Sequence, residues 1–376
     1  MSSQRRHPKI HIVGEGVIYA NPLPQLRSRK AYFPNLAMLE DGSWLAAFAL
    51  GEAMESADQT TALCQSRDEG KSWQAAGFLI TKEDRGHFSD SAKLTRVKNH
   101  QVAALGYRFD RSDPEKPIGN PATGGLLPDQ VFFCVSQDDG GHWSAPQVIN
   151  TTFMGPVEAS APITVLSGGA WVSPIANFPR WDGDVQEGLH GRLLRSDDAG
   201  ASWTDEAVTM RFPGGHTAIW EQRLCEYLPG QLVVIAWAED LKTGQGLNNH
   251  IAISPDGGRH FHPPMDTGIH GQAASVAPLG CGLVLSLHAM RRQVEEIGIL
   301  ATVTDLSNGT WETQTQSMIW RPRAFAPNSA IPGVFSAVRF GQPSALHLTD
   351  NRYIVVFWCE EDGEASVRYI TLDILM

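Results

Sequence analysis

The chain predicts an all-β protein built as a six-bladed β-propeller, and three observations carry that expectation. The pattern S-x-D-x-G-x-x-(W/F) starts at Ser66, Ser136, Ser196 and Ser254, at intervals of 70, 60 and 58 residues. Six further segments each combine a polar entry, an apolar run, a turn and a second strongly apolar run. The 36 glycines, 23 prolines and 11 tryptophans suit many short strands joined by tight turns. Self-similarity at a roughly regular period marks a repeat architecture.

Each copy of the motif reads as a hairpin turn with a plug. Asp and Ser side chains bond nearby backbone N–H groups. The glycine supplies a positive φ without steric cost. Trp73, Trp143, Trp203 or Phe261 then starts the return strand and buries a large apolar surface. The copies lie in separate repeats, so their carboxylates are expected to shape turns and not to converge on one site.

The two-strand segments run over Tyr32 to Leu50, Phe88 to Tyr107, Val157 to Ala176, Trp220 to Ala238, Gly271 to Met290 and Gly341 to Cys359. In each repeat two strands precede the Asp-containing turn, which joins the other two. Thr304 to Trp311 is a degenerate copy of the turn with altered spacing, and the sixth repeat has none. Only Ala365 to Leu375 follows the sixth segment, so the strand over 9–20 is expected to complete that blade and remove an open edge. The whole of 1–376 is therefore expected to be one domain. The Gly- and Pro-rich intervals from Arg108 to Asp129 and from Phe178 to His190 read as surface loops.

Composition narrows the function. The net charge of -11 argues against non-specific binding to nucleic acid or an anionic membrane. No apolar window approaches a membrane span, and the basic start Met1 to Arg6 is not followed by the apolar run of an export signal. Five widely spaced cysteines without a CxxC pair read as free thiols of a reducing compartment. A cytoplasmic location is expected. No HExxH spacing supports a metal, and no cofactor is expected.

In a propeller the entries of the inner strands share one cup, so residues distant in sequence meet there. The entries offer Arg29 and Tyr32, His87 and Asp90, Glu158, His216, Glu221 and Arg223, Gln272, and Gln342; the ends of the second strands add Arg108, His288, Arg291 and Arg292. Carboxylates, imidazoles and guanidiniums in one cup suit acid–base work on an acidic or hydroxylated ligand. Glu221 stands out because Ile219, Trp220 and Leu224 surround it with apolar groups, where an unpaired charge is costly.

The repeated turn is similar to the Asp-box, or BNR repeat, of the sialidase (neuraminidase) superfamily, and the chain resembles that superfamily over nearly its whole length. The resemblance implies a six-bladed propeller with its active site in the cup, away from the Asp-boxes. It also implies three arginines on a carboxylate, a Tyr nucleophile backed by a Glu, and an Asp acid/base. This chain departs from that set. Tyr32 in Tyr32-Phe33-Pro34 takes the place of the first arginine, with Arg29 and Lys30 nearby. The second arginine falls near Trp237, and the third matches Arg291 or Arg292. Glu221 matches the backing Glu, Gln342 falls where the nucleophile belongs, and the acid/base matches Asp58 or is replaced by Glu55.

The expected function is that of a carbohydrate-active enzyme, an exo-acting glycoside hydrolase on a terminal and possibly acidic sugar. Glu221 would share acid–base work with Asp90 or Asp58, and Arg108 and Arg291 would hold the substrate. Two alternatives stay open. One is a uronic-acid lyase with His87 or His216 as base and Tyr32 as acid; the other is a glycan-binding propeller without catalysis. The oligomeric state is not legible in the sequence.

Overall fold

The computed structural model describes residues 8–323 and 339–376; the basic start Met1 to Arg6 lies outside them. Six antiparallel sheets stand in a ring, each running outward from an inner strand at the axis. From inner to outer strand, blade 1 comprises Lys30–Met38, Trp44–Gly51, Thr60–Ser66 and Gln74–Phe78. Blade 2 comprises Phe88–Lys98, Gln101–Asp110, Asp129–Ser136 and Gln147–Ile149. In blade 3 the inner strand is split into Val157–Glu158 and Thr164–Val165, followed by Trp171–Asn177, His190–Ser196 and Val208–Arg211. Blade 4 comprises Thr217–Leu228, Gln231–Asp240, His250–Ser254 and Met265–Asp266, with Gln245–Gly246 added to its second strand. Blade 5 comprises Gln272–Gly280, Leu283–Met290, Gly298–Asp305 and Glu312–Trp320. Blade 6 comprises Phe340–Thr349, Arg352–Glu361, Glu364–Leu375 and, as its outer strand, Lys9–Tyr19. The segment from 9 thus pairs with the last strand of the chain, from Lys9 opposite Leu375 to Tyr19 opposite Val367.

The alternating apolar positions of the second and third strands pack blade on blade. Leu45, Ala47 and Leu63 of blade 1 meet Leu94, Val102 and Phe132 of blade 2. Leu285, Leu287 and Val303 of blade 5 meet Val355, Phe357 and Ile370 of blade 6 in the same way. A ring of such contacts turns many short strands into a continuous apolar layer, each buried side chain contributing roughly 1.5–3 kcal/mol.

All four motif copies form one hydrogen-bond pattern. In the first, Ser66 Oγ donates to Asp68 Oδ1 (2.9 Å) and accepts from Gly70 N (2.8 Å), while Asp68 Oδ1 accepts from Ser72 N (2.9 Å). Trp73 Nε1 donates to the Gly70 carbonyl at 3.1 Å. Trp203 of blade 3 meets Phe133 of blade 2 edge-on at 5.8 Å, so the plug crosses between blades. Strands alternate in direction, so turns after the third strand lie at the opposite end of the ring from the inner-strand entries. The degenerate copy likewise joins Gly298–Asp305 to Glu312–Trp320, with Leu306 buried. Cys64, Cys134, Cys225 and Cys359 are buried free thiols, and Cys281 is exposed. Among the described residues no helix is long and apolar enough to cross a membrane.

Candidate functional site

The inner strands of blades 1, 4 and 6 share a local irregularity at their entry. Two residues of the inner strand face one of its neighbour between Tyr32 and Asn35, between Trp220 and Arg223, and between Gly341 and Ser344. Phe33, Glu221 and Gln342 stand on these bulges with φ of 55°, 51° and 41°. Proline follows Phe33 and Gln342, which suits a bulge because proline has no N–H for the ladder. Glu55, in the loop after Trp44–Gly51, also has a positive φ of 58°. Left-handed backbone at non-glycine residues costs about 1–3 kcal/mol each and gathers at functional sites. These four side chains line one cavity at the axis, about 860 Å³ of empty space counting its open mouth.

The walls of that cavity are largely aromatic: Phe33, Tyr107, Phe109, Phe178, Trp220, Trp237 and Trp358. Trp220 stacks on Trp237 with centroids 5.6 Å apart, and Phe178 lies 5.3 Å from Trp220. The polar groups are Glu55, Glu158, Glu221, Glu239, Gln272, Arg291, Arg292 and Gln342. The two long loops are more than a surface cover. They bond to each other (Leu126 N to the Pro179 carbonyl at 3.0 Å, Asn120 Nδ2 to the Trp181 carbonyl at 2.8 Å) and supply Ile118, Leu126 and Phe178 to the wall.

Glu221 is held as an acceptor on both oxygens. Trp237 Nε1 donates to Oε2 at 2.8 Å, Gln342 Nε2 donates to Oε1, and Arg291 Nη2 stands 4.0 Å from Oε2. Lys93, 3% exposed, donates to Gln342 Oε1 (3.0 Å) and to the Phe33 carbonyl, so the amide of Gln342 is turned with its N–H₂ toward Glu221. Burial drives the Lys93 ammonium well below its usual range. Glu158 Oε2 accepts from Glu221 N at 2.8 Å and Oε1 accepts from Ser160 Oγ. Burial pushes Glu158 up to about 7, against the pull of Arg223. Glu55 reaches about 7 for the same reason, with Arg111 opposing; Arg111 Nη1 donates to the Glu55 carbonyl at 2.8 Å. Burial also raises Glu239, which Arg292 offsets. Burial and the nearby Glu55, Glu158 and Glu221 push the Tyr107 phenol well up, keeping its proton in place. Arg291 spends Nε on Gln272 Oε1 (2.9 Å) and Nη1 on the Phe340 carbonyl (2.6 Å). Burial lowers Arg291 to about 10. Gly341 leaves it room, since a Cβ there would strike Arg291 Nη1. The result is Glu221, an acceptor on both oxygens, beside the raised carboxyls of Glu55 and Glu158, an arrangement suited to acid–base catalysis.

Of the residues expected in the cup, the structure brings Glu158, Glu221, Gln272, Arg291, Arg292 and Gln342 to this cavity. Arg223 lies beneath, donating to Ser160 Oγ (3.0 Å) and the Gln222 carbonyl (2.8 Å). The others point elsewhere. Tyr32, 2% exposed, packs edge-on against Trp358 at 5.0 Å because the bulge directs Phe33, not Tyr32, inward. Asp90 accepts from Thr60 Oγ1 (2.8 Å) and Thr61 N (2.9 Å), tying blade 2 to blade 1 beside a small side cleft shared with Glu55 and Tyr107. Asp58 pairs with Arg29 at 3.2 Å near the surface and leaves the cavity to Glu55. His87 pairs with Asp110 and His216 with Asp240, both partly exposed. Arg108 donates to Gln130 Oε1 (2.9 Å) and lies over Phe88 at 4.4 Å. His288 is enclosed between Asn249 (2.7 Å) and Ser286 (3.0 Å), and burial pulls it down to about 3. Lys93, Tyr107, Glu239 and the aromatic walls other than Trp220 and Trp237 were not singled out in the sequence; Glu239 shares a strand face with Trp237 two residues away, a signal that could have marked it. Among the described residues no cluster of His, Cys, Asp and Glu is arranged to hold a metal ion.

The chain is a six-bladed propeller with a sialidase-like fold, and an aromatic-walled cavity carrying four glutamates lies at its axis. No protein-family model and no curated protein matches the chain. Among solved structures it is similar to a Dyadobacter fermentans protein of unknown function, at 20% identity and a TM-score of 0.76 over 97% of this chain and 99% of the other. It is also similar to a Hadza microbial sialidase (15%, TM-score 0.64, 92% of this chain and 65% of that one). The Trypanosoma rangeli sialidase, solved with the inhibitor DANA, matches at 15% and TM-score 0.60 over 91% of this chain and 55% of its own. The chain thus spans less than two thirds of those two sialidases. At these identities the likeness is one of fold.

Proposed function

We propose that the protein is an exo-acting glycoside hydrolase that takes one terminal sugar into the axial cavity. The observation that carries this reading is the set of four cavity side chains, Phe33, Glu55, Glu221 and Gln342, on left-handed backbone around two kinds of carboxyl. Glu55 is the general acid, since its proton is retained to about pH 7 and it can pass to the departing glycosidic oxygen. Glu221 is the charged partner that faces the developing oxocarbenium ion, its charge held by Trp237, Gln342 and Arg291. Glu158 sits behind it on the Glu221 amide and sets the position of the bulge. Trp220 and Trp237 offer a flat face on which a pyranose ring stacks.

The reading is tested by screening terminal glycosides of neutral, amino, uronic and sialic sugars for release of the sugar, with absorbance of an unsaturated product followed in parallel. Release of a reducing sugar without such absorbance is expected from at least one class. An unsaturated product, or no turnover in any class, would contradict hydrolysis. No imidazole of the described residues lines the cavity, so nothing in its geometry favours the lyase alternative.

A further inference from the structure

We infer that the axial cavity takes a sugar bearing no carboxylate, and that an ammonium-bearing sugar is favoured over a neutral one. The inference rests on the hydrolase reading of the same pocket and names its substrate class. A carboxylate is best held by a guanidinium that presents two parallel N–H groups. Arg291 has no such face to present. Its Nε is committed to Gln272 at 2.9 Å and its Nη1 to the Phe340 carbonyl at 2.6 Å, while Nη2 faces Glu221. Arg292 interacts with Glu239. A ligand carboxylate would therefore have to displace Glu221 from Arg291 and Glu239 from Arg292, the two guanidiniums that line the cavity.

A cation meets the opposite environment. The Glu158 carboxyl takes no hydrogen bond from Arg223, which donates to Ser160 Oγ and to the Gln222 carbonyl. An ammonium placed beside Glu158 would be stabilised by the carboxylate it helps to ionise, while Glu55 keeps the proton it gives to the departing oxygen. Trp220 and Trp237, on the blade next to that of Glu158, add the negative faces of their rings. A neutral pyranose gains the stacking without the charge term.

Titration calorimetry of the intact chain at pH 7, with methyl glycosides of glucosamine, glucose and glucuronate and their galacto counterparts, tests this. N-acetylneuraminate is added as a second acid. The amino sugar of one series is expected to bind roughly tenfold or more tightly than the matching uronate, with the neutral sugar between them. Glu239→Gln is expected to narrow that gap, whereas a change of fold would abolish all binding alike. A uronate or N-acetylneuraminate that binds as well as the matching neutral sugar overturns the inference, as does the absence of heat with every sugar. Binding of neutral and amino sugars whose glycosides are not cleaved keeps this inference and removes the hydrolase reading. Cleavage of a sialoside or glucuronide with tight binding of its sugar does the reverse.

Discussion

Glu55 and Glu158 lie in the wall of the axial cavity, where burial sets their protons. Burial dominates at both and lifts each to about 7, at Glu158 even though donors reach both of its oxygens. A raised carboxyl has a definite consequence for stability. The folded chain keeps the Glu55 proton to about pH 7, while the unfolded chain releases it near 4.5. Between these values the folded state binds more protons, so the stabilising contribution is full below about pH 4.5 and is lost as pH rises through 7. The loss for one such group is on the order of 3 kcal/mol. Urea unfolding at pH 5 and pH 8 checks it. Glu55→Gln is expected to lose less stability than the parent between the two; parallel losses would mean that Glu55 does not titrate there.

At the scale of the element, the turn and the bulge do different jobs. Ser136 Oγ accepts from the buried Gly140 N at 2.8 Å and donates to Asp138 Oδ1 at 2.8 Å. Ser136→Ala orphans that N–H and is expected to cost about 1–3 kcal/mol in denaturant melts. Sugar binding in the cavity at the other end of the ring should stay unchanged. Loss of binding at full stability would contradict the separation of turn and site. The turns were legible in the sequence because Ser, Asp, Gly and Trp each have one local task. The bulges were not. A one-residue insertion flips side chains between faces, so Tyr32 in the entry pattern becomes a core residue and Phe33 becomes wall. Asp58 and Glu55 differ in the same way: three positions apart in one loop, only the residue at φ 58° faces the cavity.

At the scale of the whole molecule, the ring and the site were legible to different degrees. The number of blades follows from counting apolar strand pairs, and the pairing of Lys9–Tyr19 with Glu364–Leu375 from the missing outer strand. The site requires knowing which ends converge. Glu55, Tyr107, Glu158, Glu221, Arg291 and Gln342 come from six blades or their loops, and no spacing within the chain links them. Lys93 is the sharpest instance: a lysine inside an apolar strand reads as surface, yet it lies at the axis and holds Gln342. The long loops were seen as covering the surface, and their role as wall depends on contacts between blades 2 and 3.

Glycoside hydrolysis at the axis, as proposed, puts Glu221 opposite the reacting carbon. The most direct measurement is the ratio of kcat/KM between the parent and Glu221→Gln on a glycoside the parent cleaves, with unfolding midpoints compared alongside. The account predicts a fall of about 10²–10⁴-fold with the fold retained. A variant that cleaves within threefold of the parent, a margin of roughly 0.7 kcal/mol in transition-state stabilisation, would contradict it.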